Sequence, residues 1–474
     1  MEYNFCGWLA AAHCPCFVSP SILEWPVNMT RYVLGLAILC CCQTGLISSA
    51  AAEEIAGSMI PQAIFQYMDR PEPDFAWKLA DTINLGANKV HRLELTSQKW
   101  QGILWKHNLI VYEPTELVHK DHMLIFVNGG GMDSVGKTPQ IKDMAMGIAL
   151  ANFCGARIAT LHQVPNQPLM DGRKEDDLIT ETWLKYLESG DATWPLLFPM
   201  AKSAVKAMDA LEQFSEQQFK QPIKGFVITG ASKRGWTSWL TSVVDKRIIA
   251  TAPIVIDTLN FPKQMTHQKK TWGFYSEQIA DYTSKGLVND DGIPRDGREA
   301  ELWNMMDPYT YRAQLTMPKL LVVGANDRYW SVDAMNLYWD DLVGQKHIHR
   351  APNGGHGLDD GKENALKTIA VFFRHAAAGI TLPEFNWKPQ VSDSEVGLTM
   401  TPSGDPQVVR MWVARSESND FRESKWESQD LSAADGSFSG AATRSGEQRV
   451  AVFGEVEYEH EGLTYLLSTL VFWK

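Results

Sequence analysis

Residues 226–240 read FVITGASKRGWTSWL, and this stretch decides the fold class. The residues Phe226 to Thr229 predict a short buried strand, and the residues from Arg234 onward predict a helix. Gly230 and Gly235 bound a tight turn that holds Ser232, because glycine allows helix and strand to pack closely there. A serine that a strand delivers to a turn before a helix is typical of the nucleophile in an α/β-hydrolase.

Two later segments supply the partners that a nucleophilic serine needs. Asp327 ends the strand-like segment KLLVVGAND, and His356 lies in APNGGHGL after the next strand. In α/β-hydrolases the serine, the acid and the histidine occur in this chain order. We therefore predict a catalytic triad in which His356 takes the proton of Ser232 and Asp327 orients the imidazole. Asp333 is the next candidate for the acid.

Backbone N–H groups near the serine are the predicted oxyanion hole. One donor is the N–H of Lys233, and the loop NGGGMD, with Gly129 and Gly130, lies where a second donor is expected. Arg234 stands where the usual G-x-S-x-G motif has its second glycine. Two interpretations of the cations stay open: they contact the substrate and its oxyanion, or they pair with acids on the helix face.

Outside the triad, the chain divides into parts with different periodicity. Residues 53–380 alternate strands with helices, which predicts an α/β domain with a mostly parallel sheet. The alternation lapses at about 258–317, an aromatic segment that predicts a helical cap in which Trp272 and Tyr275 contact the substrate. Residues 381–474 alternate with a period of two, which predicts an all-β module resembling a sandwich.

The charge run RKEDD at residues 173–177 predicts the start of a helix. An acidic pair that binds a substrate amine is the alternative interpretation of this run.

Residues 1–52 are predicted to be an N-terminal extension and a secretory signal. Met29 is followed by a basic residue, a short apolar stretch and small residues that end at Ala52. The apolar stretch is too short to be read as a membrane span. We expect translation to start at Met29 and the exported protein, periplasmic or secreted, to begin near Glu53 with no stable membrane span.

Composition limits the classes of partner. Of 474 residues, 45% are hydrophobic and 21% are charged, which is typical of a folded globular protein. The net charge of −12 and the absence of a long basic run argue against a nucleic-acid partner. No nucleotide-binding motif is present, and His347 and His349 lack a third ligand nearby in sequence, so we predict neither cofactor nor metal.

Four segments together resemble the PhoPQ-activated pathogenicity-related protein family: TGASKRGWTSWL, VGANDRYWSVDA, PNGGHGL and NGGG. The resemblance covers most of the mature chain. It implies a secreted α/β-hydrolase with a C-terminal β region and a link to bacterial virulence regulation, and it places Ser232, Asp327 and His356 at the presumed triad. The turn is also similar to that of glucuronoyl esterases, in which a basic residue after the serine helps to hold the oxyanion; here that residue is Lys233 rather than arginine.

We therefore predict an exported serine hydrolase that works through an acyl-enzyme intermediate. Esterase and peptidase both stay open, because the triad attacks either carbonyl, so the expected substrate is a small-molecule, peptide or carbohydrate ester or an amide. The alternative from another class is a catalytically silent secreted protein that binds partners through its surface or its β module.

Overall fold

The computed structural model describes residues 60–474, so the predicted signal segment and the predicted start at Met29 lie outside the described residues. The main sheet has these strands: β1 Ala76–Leu85, β2 Asn88–Trp100, β3 Ile103–Glu113, β4 His122–Val127, β5 Ile158–Leu161, β6 Gly225–Ala231, β7 Ile248–Ile254, β8 Lys319–Gly324 and β9 Lys346–Ala351. Within residues 60–474 these nine strands take the order β1-β2-β3-β5-β4-β6-β7-β8-β9. Strands β4 to β9 are mutually parallel, and β1 to β3 are antiparallel additions at one edge.

Helices cover both faces of this sheet. Their bounds are α1 Ala63–Met68, α2 Ile141–Cys154, α3 Glu175–Ser189, α4 Leu197–Phe219, α5 Lys233–Val244, α6 Phe261–Trp272, α7 Ala280–Thr283, α8 Gly297–Met306 and α9 Lys362–Ala378. Successive residues of a strand point to opposite faces, so Phe226 and Ile228 of β6 join the core under α4 and α5, whereas Val227 joins the core under α2 and α9. None of the described helices combines the length and the apolar character that a membrane crossing needs.

A helical insertion separates β7 from β8. It contains α6, α7 and α8, as the lapse in alternation predicts. Several of its side chains are buried in the core that also holds α4 and α5. The insertion therefore packs against the sheet domain instead of standing away from it.

The C-terminal residues form two antiparallel sheets. Their strands are β10 Phe385–Val391, β11 Glu395–Pro402, β12 Val408–Ser416, β13 Trp426–Asp430, β14 Ala433–Ala434, β15 Ser437–Thr443, β16 Arg449–His460, β17 Leu463–Ser468 and β18 Phe472–Trp473. One sheet has the order β10-β11-β15-β14, and the other has the order β13-β12-β16-β17 with β18 beside β16. The predicted architecture is confirmed: a mostly parallel α/β sheet, a helical insertion and a C-terminal all-β module.

The β module shares an apolar core with the sheet domain. Ile369 and Phe372 of α9 belong to the same buried cluster as Val396 of β11 and Val452 of β16. Strand β17 packs along α9 and β9. The exact domain boundaries, 53–380 and 381–474, stay predictions.

Candidate active site

Ser232 occupies a strained turn between β6 and α5. Its φ of 57° and ψ of −123° lie in a region that residues with side chains rarely adopt. A Cβ at Gly230 would lie 2.7 Å from the carbonyl oxygen of Arg234, and one at Gly235 would lie 2.7 Å from Cγ2 of Ile256. The two glycines are therefore needed for close packing, and the tight turn holds the serine at the carboxyl end of the central strand.

The structure brings Ser232, His356 and Asp327 together. His356 Nε2 lies 2.9 Å from Ser232 Oγ, and His356 Nδ1 lies 2.8 Å from Asp327 Oδ2. The side chain of Asp327 is only 6% exposed, and its Oδ1 accepts a 3.0 Å hydrogen bond from the N–H of Tyr329. The ring of Tyr329 also packs on the His356 imidazole, with 4.4 Å between centroids. The histidine is thus fixed from two sides.

Asp333, the second candidate for the acid, has other partners. Its Oδ1 lies 2.8 Å from His267 Nε2, and its Oδ2 accepts a 2.8 Å hydrogen bond from the indole N–H of Trp473. The carboxylate that contacts His356 is that of Asp327.

Arg234 pairs with an acid of α3 instead of facing the serine. Its guanidinium donates two 2.8 Å hydrogen bonds to Glu175, and its Nε donates to the carbonyl of Val164 at 2.5 Å. Partial burial acts to raise the pKa of Glu175, but the hydrogen bonds and charge of Arg234, with smaller contributions from Gln167 and Lys233, lower it to about 2. Arg234 does not line the cavity beside Ser232. The structure therefore favours the bracing interpretation of this cation over the predicted contact with substrate.

Lys233 is held by a second acid from the same helix start. Its Nζ lies 2.9 Å from Asp176 Oδ2, and the same carboxylate accepts hydrogen bonds from the hydroxyls of Tyr282 at 3.2 Å and Tyr329 at 3.3 Å. Burial, together with the neighbouring charge of Asp176, raises the pKa of Tyr329, so this phenol is a neutral donor at pH 7. The run 173–177 begins α3 as predicted, and its acids are neutralised by protein cations.

The sequence analysis did not predict one cluster of this site. It consists of Asp176, Tyr282 and Tyr329, which are joined by hydrogen bonds. The acidic run around residue 176 and the aromatic segment that contains Tyr282 each carried a signal, but nothing in the sequence connects them to Tyr329. The two tyrosines come from distant segments, and their hydroxyls meet at one carboxylate only in the folded chain.

The two predicted sources of oxyanion donors differ in their environment. Lys233 is the first residue of α5, where backbone N–H groups have no intrahelical acceptor. The N–H of Gly129 donates to its neighbour Asn128 Oδ1 at 2.9 Å, so this donor is already engaged. Gly130 has a φ of +120°, which favours glycine. The oxyanion roles of both loop glycines stay predictions, and we prefer Gly130 because the N–H of Gly129 is engaged.

Arg234 also supports the glycine loop from beneath. A Cβ at Gly129 would lie 2.7 Å from Nη2 of Arg234, so the loop can rest on the guanidinium only because residue 129 has no side chain. The side chain of Arg234 therefore contacts both Glu175 and the glycine loop that follows β4.

A small apolar cavity opens beside Ser232 and His356. Its volume is about 40 Å³, and its wall is largely aromatic and aliphatic, with Trp236, Phe261, Met265, Ile279, Tyr282, Val288 and Trp303 among the lining residues. A buried water requires roughly 10–15 Å³ of such space, so the cavity holds a group of only a few heavy atoms. Six of these seven side chains, all except Trp236, belong to the helical insertion.

Trp272 and Tyr275, the insertion residues predicted to contact substrate, do not line this cavity. Trp272 lies at the end of α6, eleven residues after Phe261, which corresponds to about 16 Å along a helix. Its ring packs on the guanidinium of Arg422, 4.2 Å from the centroid, while the hydroxyl of Tyr275 donates to the carbonyl of Asn289 at 2.9 Å. Phe261, at the other end of α6, takes the place that we predicted for Trp272.

His347 and His349 are buried in β9. Burial lowers the pKa of both imidazoles to about 4. Across residues 60–474 no group of three or more potential ligand side chains is placed to hold one metal ion.

The sheet order, the strained serine turn and the Ser-His-Asp arrangement at the ends of β6, β9 and β8 define the class of the protein: its scaffold is that of an α/β-hydrolase. Residues 64–422 match the sequence model of the PhoPQ-activated pathogenicity-related protein family, and the chain therefore belongs to this family, as its motifs predict.

A curated relative is similar over most of its length. Autocrine proliferation repressor protein A of Dictyostelium discoideum is 33% identical over 389 residues, which cover 78% of this chain and 77% of the relative.

Solved structures with a similar fold include esterases of low sequence identity. Acetyl xylan esterase 1 from Thermoanaerobacterium sp. JW/SL YS485 is 15% identical, with 68% of this chain and 98% of that chain covered and a TM-score of 0.43. A glucuronoyl esterase from Solibacter usitatus is 12% identical, with coverage of 69% and 93% and a TM-score of 0.42.

Proposed function

We propose that this protein is a serine hydrolase that cleaves an ester or an amide through an acyl-enzyme intermediate. The observation that carries the proposal is the continuous chain of hydrogen bonds from Ser232 through His356 to the buried Asp327, with distances of 2.9 and 2.8 Å. A serine hydroxyl is a weak nucleophile until an adjacent base removes its proton. A structural serine does not require a base that is itself oriented by a buried carboxylate.

The first half of the reaction follows from this geometry. Ser232 Oγ attacks the carbonyl carbon while its proton passes to His356 Nε2, and Asp327 accepts a hydrogen bond from the Nδ1–H of the imidazolium. Negative charge develops on the carbonyl oxygen, where the N–H groups of Lys233 and Gly130 are the proposed donors. When the tetrahedral intermediate collapses, His356 returns the proton to the leaving group and the acyl group stays on Ser232.

The second half repeats these steps with water. His356 takes a proton from the water as it attacks the acyl carbon, and then gives that proton to Ser232 Oγ as the acid departs. The side chain of Lys233 is held by Asp176, so we assign the oxyanion role to its backbone N–H and not to its ammonium.

The apolar cavity supports a short acyl group. The carbonyl carbon must lie next to Ser232 Oγ, and the space that opens from there, about 40 Å³, is bounded by Trp236, Phe261 and Trp303. A chain of many carbons would have to displace these buried rings. We therefore propose a substrate whose acyl part is small and uncharged.

Export is part of the proposal, on the N-terminal pattern of the sequence. A basic residue, an apolar stretch and small residues follow Met29 and end at Ala52. N-terminal sequencing of the secreted or periplasmic protein tests it, and a protein that retains the residues before Glu53 would contradict it.

Labelling with a fluorophosphonate tests the nucleophile. The reagent forms a covalent bond to an activated serine, so the wild-type protein should be labelled and Ser232→Ala should not. Ser284 is an exposed serine of the insertion, and Ser284→Ala is the matched control that should keep full labelling. Undiminished labelling of Ser232→Ala would refute the assignment. An unlabelled, folded wild-type protein would instead favour the catalytically silent binding protein.

A further inference from the structure

A polar cleft borders His356 and differs in character from the apolar cavity. Its volume is about 570 Å³, and it shares His356 and Tyr329 with the cavity but does not include Ser232. One wall is the segment 422–425, which belongs to the loop between β12 and β13 of the C-terminal module. The β module therefore reaches the edge of the proposed triad.

Two asparagines fix this loop to the loops that carry the triad. Asn326, the neighbour of Asp327, donates from Nδ2 to the carbonyls of Phe421, Arg422 and Ser424 at 3.2, 3.2 and 2.7 Å. Asn353, three residues before His356, accepts a hydrogen bond from the N–H of Trp426 at 2.8 Å and donates to its carbonyl at 3.0 Å. The position of the module loop is thus coupled to the positions of the acid and the base.

The helical insertion borders the same cleft at Gln278 and is connected to its wall by an ion-pair network. Arg422 pairs with Asp420 at 2.7 Å and with Glu277 at 2.9 Å, and its guanidinium packs on Trp272. Arg328 pairs with Glu277 at 2.6 Å and also with Glu423. Charges that form a network hold their geometry better than isolated surface pairs. The cleft therefore has a wall in which the β module, the insertion and the triad loops meet.

We propose that this cleft, bounded by the segment 422–425 and by Asn326, Tyr329 and His356, is the leaving-group subsite of the enzyme. The inference rests on the proposed hydrolase function. His356 Nε2–H must give its proton to the leaving oxygen as the acyl–oxygen bond breaks, so the alcohol forms next to His356. The apolar cavity is too small for both halves of an ester, whereas the cleft opens from His356 with space for a larger group.

The lining selects a neutral, polyhydroxylated alcohol. The cations Arg328, Arg422 and Lys425 are already paired with acids, and the Asp359 carboxylate accepts a hydrogen bond from the N–H of Gly355, so the cleft does not require an ionic ligand. Acids, cations and amides side by side offer both donors and acceptors, and a hydroxyl group both donates and accepts. An apolar alcohol would remove water from these groups without replacing its hydrogen bonds, which is unfavourable.

Two esters with the same acyl group test the subsite: 6-O-acetyl-D-glucose and ethyl acetate. The wild-type enzyme should prefer the sugar ester, as measured by kcat/KM. The double variant Glu423→Ala/Lys425→Ala removes two side chains that are 83% and 78% exposed, so its melting temperature should be almost unchanged. It should lower kcat/KM for the sugar ester about fivefold, the effect of a lost hydrogen bond, and leave that for ethyl acetate within about twofold.

A matched control is the double variant Lys388→Ala/Glu395→Ala, which changes exposed charges of the same module outside the cleft. It should retain the wild-type preference. Equal effects of the cleft variant on both esters, or none, would overturn the subsite while leaving the hydrolase function intact. A third substrate is an N-acetylated amino-acid amide, whose leaving group is an amine. If the cleft variant lost activity only toward this substrate, the leaving group would be a peptide amine and not an alcohol. Failure of the wild type to hydrolyse any of these substrates would overturn the proposed function, and the subsite with it.

Discussion

Replacement of Arg234 by methionine would show whether this cation braces the fold, as its contacts indicate. The side chain is only 11% exposed and donates three hydrogen bonds, two to Glu175 and one to the carbonyl of Val164. Methionine has a similar length and retains apolar packing, but it has no donors. The substitution therefore removes the ion pair with little change in volume.

The expected loss of stability follows from the pKa of Glu175 and its exposure. A carboxyl whose pKa falls from 4.5 to about 2 on folding contributes at most about 3 kcal/mol at pH 7, at 1.36 kcal/mol per pH unit. The Glu175 side chain is 40% exposed, and Lys233 and Gln167 stay beside it in the variant, so solvent and these partners reduce that figure. The unpaired Val164 carbonyl adds about 1 kcal/mol. We expect a total loss of about 2 kcal/mol.

The pH dependence of this loss separates the ion pair from other causes. The folded-state pKa of Glu175 is depressed, so its stabilising contribution is present above pH 4.5 and is lost as the pH falls toward 2. The difference in unfolding free energy between wild type and Arg234→Met should therefore be full at pH 7 and become smaller between pH 4.5 and 2. An effect from packing alone would not change over this range.

Urea unfolding followed by tryptophan fluorescence measures both quantities. Arg295 is an exposed arginine of the insertion, and Arg295→Met is the matched control, expected to stay within about 0.5 kcal/mol of wild type. If Arg234→Met lowered the unfolding free energy at pH 7 by less than about 0.5 kcal/mol, the proposed stabilising role of Arg234 would be refuted. A loss of the expected size that is independent of pH would show that Glu175 is not its source.

Two further predictions concern the catalytic geometry. Asp327→Asn should lower kcat by about 10⁴, because the imidazole loses the partner that sets its tautomer, and steady-state hydrolysis of an acetate ester measures this; activity within tenfold of wild type would contradict the role of Asp327. Val288→Ala removes two methyl groups from the cavity wall and should shift the preference from acetate toward butyrate esters several-fold, at a cost of roughly 1–2 kcal/mol in stability. An unchanged ratio of kcat/KM for the two esters would show that the acyl group binds elsewhere.

Local chemistry explains why the triad residues could be found in the sequence. A serine turn between a strand and a helix requires small residues at fixed offsets, and Gly230 and Gly235 supply them within six positions. Parallel strands bring their carboxyl ends to one edge of the sheet, so the chain order Ser232, Asp327, His356 already implied that the three side chains meet. The structure places them within hydrogen-bond distance in that order.

Of the three strands added at the sheet edge, β1 had a weaker signal than β2 and β3, whose runs VHRLELTSQKW and HNLIVYEP are strand-like. Most residues of β1 are solvent-exposed, and Ala80 and Asp81 interrupt the alternation of apolar and polar residues in the segment AWKLADTINL. Its extended conformation depends on pairing with β2.

The serine turn, the chain order of Ser232, Asp327 and His356 and the change from mixed α/β to all-β periodicity could be read from the sequence, because each depends on residues close together in the chain or on a repeating pattern. The partners of the polar side chains, in contrast, depend on how distant elements pack in the folded chain. Arg234 finds Glu175 across 59 positions, and Asn326 holds the carbonyl of Ser424 across 98. Contacts over such separations leave no local pattern, since they depend on where whole elements pack. For the same reason Phe261 lines the cavity, while Trp272, at the far end of the same helix, packs on Arg422 in the wall of the cleft.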